Sequence, residues 1–141
     1  MIRPSGFYRN KSKGIYEFFN WYENYEDDPR LVNTAFSETK ELRNVLLKLH
    51  GIGEETADCL LLYVFDRVVF VSDAYARRFF GRLNGEDYPN YKRLHHKIDL
   101  EKEGFTLEEA QEFHGLIDEF GKMYLSGRID KWDESFMNPY H

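Results

Sequence analysis

The chain has 141 residues, a length typical of one domain. Its apolar residues amount to 42% and its charged residues to 31%, a composition that is typical of globular proteins and excludes a disordered tail. It lacks the apolar run of roughly 18–20 residues that a membrane span requires, and residues 1–9 lack the apolar stretch of a secretory signal. The single cysteine, Cys59, excludes a disulfide framework and a four-cysteine zinc or iron–sulfur site, so we expect a cytoplasmic protein.

The net charge of −6 disfavours nucleic-acid binding, because neutralisation of phosphates supplies much of the affinity of such proteins. The charge is unevenly distributed, however. Residues 1–14 carry four cations and no acid, and cations outnumber acids over residues 67–97. An ordinary mixed surface and a local phosphate-facing patch both explain this distribution, and the sequence leaves the choice between them open.

Helical periodicity dominates the first half of the chain. We predict a helix over residues 10–25, with Asn10 as its N-cap and with the acidic residues and proline at 26–29 ending it. Two further helices, over 38–49 and 54–65, flank a glycine-containing turn. The apolar side chains at helical spacing in the first two helices are Ile15, Phe18, Phe19, Tyr22, Leu42, Val45, Leu46 and Leu49.

The second half continues the helical pattern. Residues 68–71 form a β-branched run without a partner strand, so we expect an extended linker there. Asp73 stands at the N-cap position of a helix over 74–82, and another helix is predicted over 91–101. The last helix, over 106–125, opens with a capping box. Six helices and no sheet predict an all-α fold.

The turn between the second and third helices is short and contains two glycines. It reads Leu49-His50-Gly51-Ile52-Gly53. Glycine allows the positive φ of a tight turn, and the missing Cβ lets the backbone come close to a partner. The N–H groups that open the next helix then face a phosphate, assisted by the helix dipole. An ordinary corner between two helices uses glycines in the same way, so this motif alone leaves DNA binding open.

The surroundings of the hairpin carry more information. The sequence Leu49-x-Gly51-x-Gly53-x-x-Thr56-Ala57-Asp58 is followed by Val69-x-Val71-x-Asp73 before a new helix. This combination resembles the helix-hairpin-helix DNA glycosylase superfamily typified by endonuclease III. In that superfamily the hairpin precedes an apolar helix, an extended segment and an essential Asp. The resemblance spans most of residues 2–125, including the segments Gly6-Phe7-Tyr8 and Phe113-His114-Gly115.

The resemblance implies that Asp73 is the catalytic carboxylate, since it follows Glu55 by 18 residues, as in the family. Its role would be to stabilise a cationic sugar, or to position and deprotonate the attacking water. Bifunctional relatives have a nucleophilic Lys at the position of Glu55, and a carboxylate cannot form a Schiff base with the sugar. The resemblance therefore implies an N-glycosylase without lyase activity, without an iron–sulfur cluster and without another cofactor.

The resemblance also implies contacts with the backbone of double-stranded DNA. The residues that would make them are Gly51, Ile52, Gly53, Thr56, Arg77 and Arg78. Relatives hold a monovalent cation on hairpin carbonyls, which here would be those of Leu47, Leu49 and Ile52. Two plainer alternatives stay open: Asp73 as a simple N-cap, and the two arginines as solvated surface.

Within the superfamily, the chain looks most like the bacterial 3-methyladenine DNA glycosylases of the endonuclease III type, which act on alkylated purines. The features that carry this resemblance are Glu55, the missing iron–sulfur cluster and the segments Gly6-Phe7-Tyr8 and Phe113-His114-Gly115. We expect residues 1–141 to form a single partial domain of this kind, with the hairpin at about 42–65, the aspartate segment at 68–82 and the family's N-terminal helices missing. Asp73 would then lie in a solvated groove with an ordinary pKa, and the chain alone would be a poor enzyme.

Three functions are therefore open. The first is a monofunctional base-excision-repair glycosylase that extrudes a damaged base. The second is a DNA-binding fragment without catalysis, and the third is a fragment that self-associates through an exposed apolar face. His114 is expected to be a packed or hydrogen-bonded core residue rather than a general base. Cys59 is expected to be a small buried hydrophobe, and the aromatic side chains of the first helix are expected to form core rather than a base-stacking platform.

Overall fold

The computed structural model of the protein describes residues 6–127, 130–135 and 137, with side chains from residue 13 onward. Within this part of the chain the secondary structure consists of seven α-helices and two 3₁₀ turns, without strands. The all-α prediction is confirmed. None of the described helices combines the length and the apolar character needed to cross a membrane.

The chain divides into two compact units, the hairpin unit, Met1–Arg67, and the aspartate unit, Val68–His141. The helices of the hairpin unit are α1 (Gly6–Tyr22), α2 (Pro29–Ala35), α3 (Thr39–Leu47) and α4 (Glu54–Tyr63). The helices of the aspartate unit are α5 (Ala74–Asn84), α6 (Tyr91–His95) and α7 (Leu107–Tyr124). The 3₁₀ turns are Glu23–Tyr25 and Trp132–Glu134. The expectation of a single domain over the whole chain stays a prediction.

Helix α1 buries only part of its predicted apolar face. Phe18 and Tyr22 are buried, and their ring centroids lie 6.2 and 5.7 Å from that of Phe65. Ile15 and Phe19 lie on the neighbouring stripe of the helix and are exposed to 48% and 52%. The prediction of an apolar core face is therefore correct for one i, i+4 pair and wrong for the other.

The proline at position 29 begins a helix instead of only ending one. Asp28 is the N-cap of α2, and its carboxylate accepts the N–H of Arg30 at 2.9 Å. Pro29 occupies the first helical position, where its missing N–H costs no hydrogen bond. Helix α2 was not predicted for this reason. The start of α1 was also misplaced, because Asn10 lies inside that helix.

Arg67 binds the end of the hairpin unit to its middle. Its guanidinium donates to Oδ1 of Asn33 at 2.7 Å, to Oγ1 of Thr39 at 3.2 Å and to the carbonyl of Phe36. These bonds connect the segment after α4 with α2 and with the start of α3. Helix α3 packs against α4. The buried apolar side chains of the two helices are Leu42, Leu46, Ala57, Leu61 and Leu62.

The aspartate unit is built on the contact between α5 and α7. Helix α7 begins with the predicted capping box, in which Thr106 Oγ1 accepts the N–H of Glu109 at 3.1 Å and the Glu109 carboxylate accepts the N–H of Thr106 at 2.9 Å. An apolar core of Phe120, Leu125 and Trp132 packs with side chains of α5. This core holds the two helices together at the end of α7.

Helix α6 is shorter than predicted. Asn90 caps it by accepting the N–H of Arg93 at 3.1 Å, but the helix ends at His95. Two local features compete with its continuation: the Asp99 side chain accepts the N–H of Lys102 at 3.1 Å, and Gly104 adopts φ +84°. Residues 96–104 therefore form turns, because side-chain hydrogen bonds of this kind replace helical ones.

Candidate functional site

The hairpin loop runs from the C-cap of α3 at Lys48 to the N-cap of α4 at Gly53. The N–H of Ile52 donates to the carbonyl of Leu49 at 3.2 Å, and the buried side chain of Ile52 anchors the loop. Gly51 has φ +86°, the left-handed conformation that favours glycine. The predicted tight turn is present, and of the two glycines Gly51 supplies its positive φ.

Gly53 has a different role. Its backbone is extended, with φ −90° and ψ −179°, a conformation that any residue adopts. A Cβ at this position would have no heavy atom within 4 Å. The loop is therefore open on this side, and a partner can approach the backbone closely. Gly53 also has no side chain to cap α4, which leaves the first N–H groups of the helix to an external acceptor.

A third glycine, Gly14 of α1, helps to position the hairpin. It is buried, and a Cβ there would collide with the carbonyl oxygen of Gly51 and contact the side chain of Ile52. Any larger residue at this position would push α1 away from the loop. Gly14 was not among the predicted site residues, although a glycine inside a helical pattern is itself a signal of close approach.

An ion-pair network joins the two helices of the hairpin. Nε and Nη2 of Arg43 on α3 donate to the two carboxylate oxygens of Asp58 on α4 at 2.7 and 3.0 Å, and Nη2 lies 3.4 Å from Glu54 Oε1. The Asp58 side chain is fully buried, while that of Arg43 is 19% exposed. The hydrogen bonds with Asp58 raise the pKa of Arg43 and outweigh the opposing effect of its burial. The network fixes the angle at which the loop is presented.

Glu55 and Thr56 lie on the exposed first turn of α4. Carboxylates in this turn stabilise the helix through its dipole, but they also repel phosphates. Thr56 remains available as a hydroxyl donor beside the loop. The carbonyl of Leu49 is already an acceptor for the hairpin turn. The predicted cation site on the carbonyls of Leu47, Leu49 and Ile52 stays a prediction.

Asp73 is the N-cap of α5, as predicted. Its Oδ1 accepts the N–H of Ala76 at 2.8 Å, and its own carbonyl accepts the N–H of Arg77 at 2.9 Å. Its Oδ2 lies 3.3 Å from Nε2 of His114 on α7. The side chains of Asp73 and His114 are 17% and 21% exposed. His114 therefore contacts the candidate catalytic carboxylate, in agreement with the expectation of a packed or hydrogen-bonded residue.

The environment of Asp73 favours its ionised form. Burial raises the pKa of the Asp73 carboxyl, but the hydrogen bonds from His114 and from the N–H groups of Ala76 and Tyr75 outweigh that effect and hold the pKa below its ordinary value. The expectation of a solvated carboxylate with an ordinary pKa is wrong. The carboxylate is partly buried and remains an anion at neutral pH.

The spacing between Asp73 and His114 is set by how α5 and α7 pack. Gly121 of α7 is buried against Tyr75, and a Cβ at Gly121 would collide with the Tyr75 side chain. One residue before His114, the ring of Phe113 lies 6.1 Å from that of Phe70, which precedes Asp73 in the extended segment. Close packing on both sides of the pair therefore fixes its geometry.

Two curated proteins are similar to this chain over most of its length. The chain is 39% identical over 129 residues to "Putative DNA repair glycosylase MJ1434" of Methanocaldococcus jannaschii, an alignment that covers 88% of this chain and 56% of that protein. It is 30% identical over 105 residues to "Endonuclease III" of Sulfolobus acidocaldarius, covering 73% of this chain and 45% of that protein. The chain belongs to the endonuclease III-like helix-hairpin-helix superfamily.

The chain spans about half the length of these curated relatives. No protein-family model and no solved structure matches it significantly. Within the superfamily pattern, Gly51 and Gly53 belong to the hairpin unit and Asp73 to the aspartate unit.

The arginines that follow Asp73 form hydrogen bonds and ion pairs with other residues of this chain. Arg77 donates to the carbonyls of Ser72 and Pro89, both at 3.2 Å, and Arg78 donates to the carbonyl of Leu125 at 2.6 Å. Arg82 pairs with two acidic side chains of the C-terminal segment. These contacts, with those of Arg67, favour the mixed-surface explanation of the cation-rich stretch over a phosphate-facing patch.

The backbone features of the candidate site were easier to predict from the sequence than its side-chain contacts. No positioning role was predicted for three side chains of the candidate site. Arg43 and Asp58 pair with each other across the hairpin, and His114 contacts the Asp73 carboxylate. Cys59, predicted to be buried, is half-buried. A signal for Asp58 existed: a carboxylate on the apolar side of a helix implies a buried cationic partner.

Proposed function

We propose that the chain is a DNA-repair glycosylase-type domain that hydrolyses the bond between a damaged base and its sugar in double-stranded DNA. The observation that carries this proposal is Asp73, an ionised and partly buried carboxylate at a helix N-terminus, which follows a glycine hairpin in a chain 39% identical to a DNA-repair glycosylase-type protein. Burial shields the carboxylate from water, and shielding increases the effect of its charge on a nearby cation.

The chemistry that fits Asp73 is electrostatic. Cleavage of the bond between C1′ and the base nitrogen leaves its electron pair on the base and a positive charge on the sugar, and water then adds to C1′ and loses a proton. A carboxylate whose pKa lies below its ordinary value is a weak general base, because an efficient base has a pKa near the working pH. We therefore assign Asp73 to stabilisation of the cationic sugar rather than to deprotonation of water.

Two finer assignments belong to the same proposal. Glu55 occupies the position of the lyase nucleophile and cannot form a Schiff base, so the reaction should stop at base release. An alkylated purine is the substrate class that requires the least catalytic assistance, because methylation makes the base cationic and a better leaving group. A single carboxylate without a strong acid beside the leaving group suffices for such a base.

The hairpin supplies the contact with the DNA backbone in this proposal. The open space beside Gly53 admits a phosphate to the N–H groups of α4. The contacts are few, since the first turn of α4 is acidic and the arginines of α5 bind carbonyls. We therefore expect weak, sequence-independent binding whose affinity falls modestly with salt.

The test is incubation with duplex DNA that carries methylated purines. We expect chromatography to detect free methylated base, and gel analysis to show an abasic but uncleaved strand. Borohydride present during turnover should give no covalent protein–DNA adduct. The matched control is Asp73→Asn, because Asn is an equally good N-cap and preserves α5 while removing the charge.

The loss expected from Asp73→Asn is roughly 10²- to 10³-fold in the rate of base release. DNA binding without any base release by the wild-type chain would support the binding module and contradict the enzyme. Base release that survives Asp73→Asn would overturn the assignment of the carboxylate.

A further inference from the structure

The two carboxylate oxygens of Asp73 have different partners. Oδ1 accepts the N–H of Ala76 at 2.8 Å, as in any N-cap, while Oδ2 lies 3.3 Å from Nε2 of His114. Capping needs a single side-chain oxygen, since Ser and Thr cap helices as well as Asp does. The contact with His114 therefore exceeds what α5 requires, and it holds a largely buried imidazole from another helix against the carboxylate.

We propose that His114 is a positioning residue for Asp73: its Nε2–H fixes the rotation of the carboxylate, so that the remaining lone pairs of Oδ2 face the cationic sugar. This inference rests on the proposed function, because positioning matters only where a cation develops near Asp73. In this arrangement His114 donates the hydrogen bond through Nε2–H and Asp73 Oδ2 accepts it.

The charged groups around the pair face other partners. On α5, the Arg77 guanidinium donates to two backbone carbonyls. On α7, Asp118 lies one turn beyond His114 and pairs with Lys122 at 3.0 Å. Of the interactions that lower the pKa of the Asp73 carboxyl, the hydrogen bond with His114 is the largest, followed by the one with the N–H of Ala76. Replacement of His114 should therefore change the surroundings of Asp73 selectively.

The first measurement follows the titration of the Asp73 carboxyl by carbon NMR in the free protein, which requires no DNA. We compare wild type, His114→Gln, His114→Met and the control His96→Met, which removes an exposed histidine of the same unit. Gln keeps a neutral donor at the position of Nε2, whereas Met removes it. The pKa of Asp73 should rise most in His114→Met, rise less in His114→Gln and stay constant in His96→Met. An Asp73 pKa that is equal in all four proteins would overturn the pairing.

The second measurement compares binding of two duplexes, one with a cationic pyrrolidine at an abasic position and one with a neutral tetrahydrofuran. A cationic sugar mimic binds more tightly to a site that stabilises the transition state. We expect His114→Met to lose roughly tenfold or more of the preference for the cationic duplex, the size expected for a hydrogen bond to a charged group, and His114→Gln to retain most of it. Affinity for the neutral duplex should not change.

The two measurements separate the possible failures. A raised pKa in His114→Met with an unchanged preference for the cationic duplex would overturn the positioning role while leaving the proposed function intact. A wild-type chain that binds neither duplex would overturn the proposed function, and the titration would still decide whether His114 controls the carboxylate.

Discussion

The hairpin unit and the aspartate unit position their functional groups by different physical means. The hairpin unit presents backbone, and it shapes that backbone with glycines and a buried ion pair between Arg43 and Asp58. The aspartate unit presents a side chain, and it holds that side chain by the packing of α7 against α5. A charge network fails when one partner is removed, whereas a packed contact fails when volume is added. The Arg43–Asp58 ion pair and the contact between α5 and α7 should therefore respond to opposite kinds of substitution.

The largest effect is expected at the buried ion pair of the hairpin unit. Arg43→Met leaves the fully buried Asp58 carboxylate without its bidentate partner, and breaking such a pair costs roughly 3–5 kcal/mol of unfolding free energy. The measurement is urea unfolding followed by the indole N–H signals in NMR. Trp21 reports the hairpin unit and Trp132 the aspartate unit, and these are the two tryptophans of the chain.

Two further variants serve as controls for the Arg43→Met prediction. Arg30→Met removes an exposed ion pair of the same unit, with a side chain that is 89% exposed, and should leave the unfolding midpoint nearly unchanged. The double variant Arg43→Met with Asp58→Leu should recover most of the stability, because no buried charge remains uncompensated. A single variant as stable as wild type would contradict the role given to this network.

A smaller effect is expected where the aspartate unit is tightly packed. Gly121→Ala places a methyl group against Tyr75 and should lower the stability of that unit by about 1–3 kcal/mol. Gly115→Ala is the matched control on the same helix, because a Cβ there has no heavy atom within 4 Å. That variant should be more stable by about 1 kcal/mol, since Ala is the better helix former. The Trp132 signal measures both, and effects of equal sign would contradict the packing argument.

These contrasts also explain which features could be predicted from the sequence. The turn at Gly51, the N-cap at Asp73 and the capping box at Thr106 each depend on a few neighbouring residues, and all three are present in the structure. Helix α2 is also local, but Pro29 carries two meanings, as a terminator and as a first helical residue. Which role a proline takes depends on the residue before it. Here Asp28 is an N-cap, so Pro29 begins a helix.

The side-chain partners could not be predicted in the same way. His114 follows Asp73 by 41 residues, and their contact exists only because Gly121 allows α7 to approach Tyr75. A helical pattern states which face is apolar, but not which residue of another helix it meets. The ordinary pKa expected for Asp73 was wrong for the same reason, because burial and hydrogen bonding depend on tertiary contacts.

The two hairpin glycines should separate stability from DNA binding. Gly51→Ala forces a Cβ onto a residue at φ +86° and should cost about 1–2 kcal/mol in the hairpin unit. Gly53→Asp meets an extended backbone and open space, and Asp is a good N-cap, so stability should be kept or improved. Its carboxylate would stand where a phosphate approaches, and affinity for duplex DNA should fall severalfold. Asn20→Asp on the exposed face of α1 is the control for added charge. Equal losses of affinity in both Asp variants would indicate a general charge effect.

The smallest effect is expected from the titration of Asp73 itself. Because the folded-state pKa of Asp73 lies below the ordinary value, its ionised form stabilises the fold. That contribution is complete above the ordinary Asp pKa of about 3.9 and is lost as the pH falls through the folded-state pKa. The difference in unfolding free energy between wild type and Asp73→Asn should therefore be constant from neutral pH down to about pH 5 and shrink below pH 4. Urea titrations of the Trp132 signal at several pH values measure it. A difference that persists unchanged at pH 3 would mean that the two hydrogen-bonded oxygens of Asp73 do not favour its ionised form.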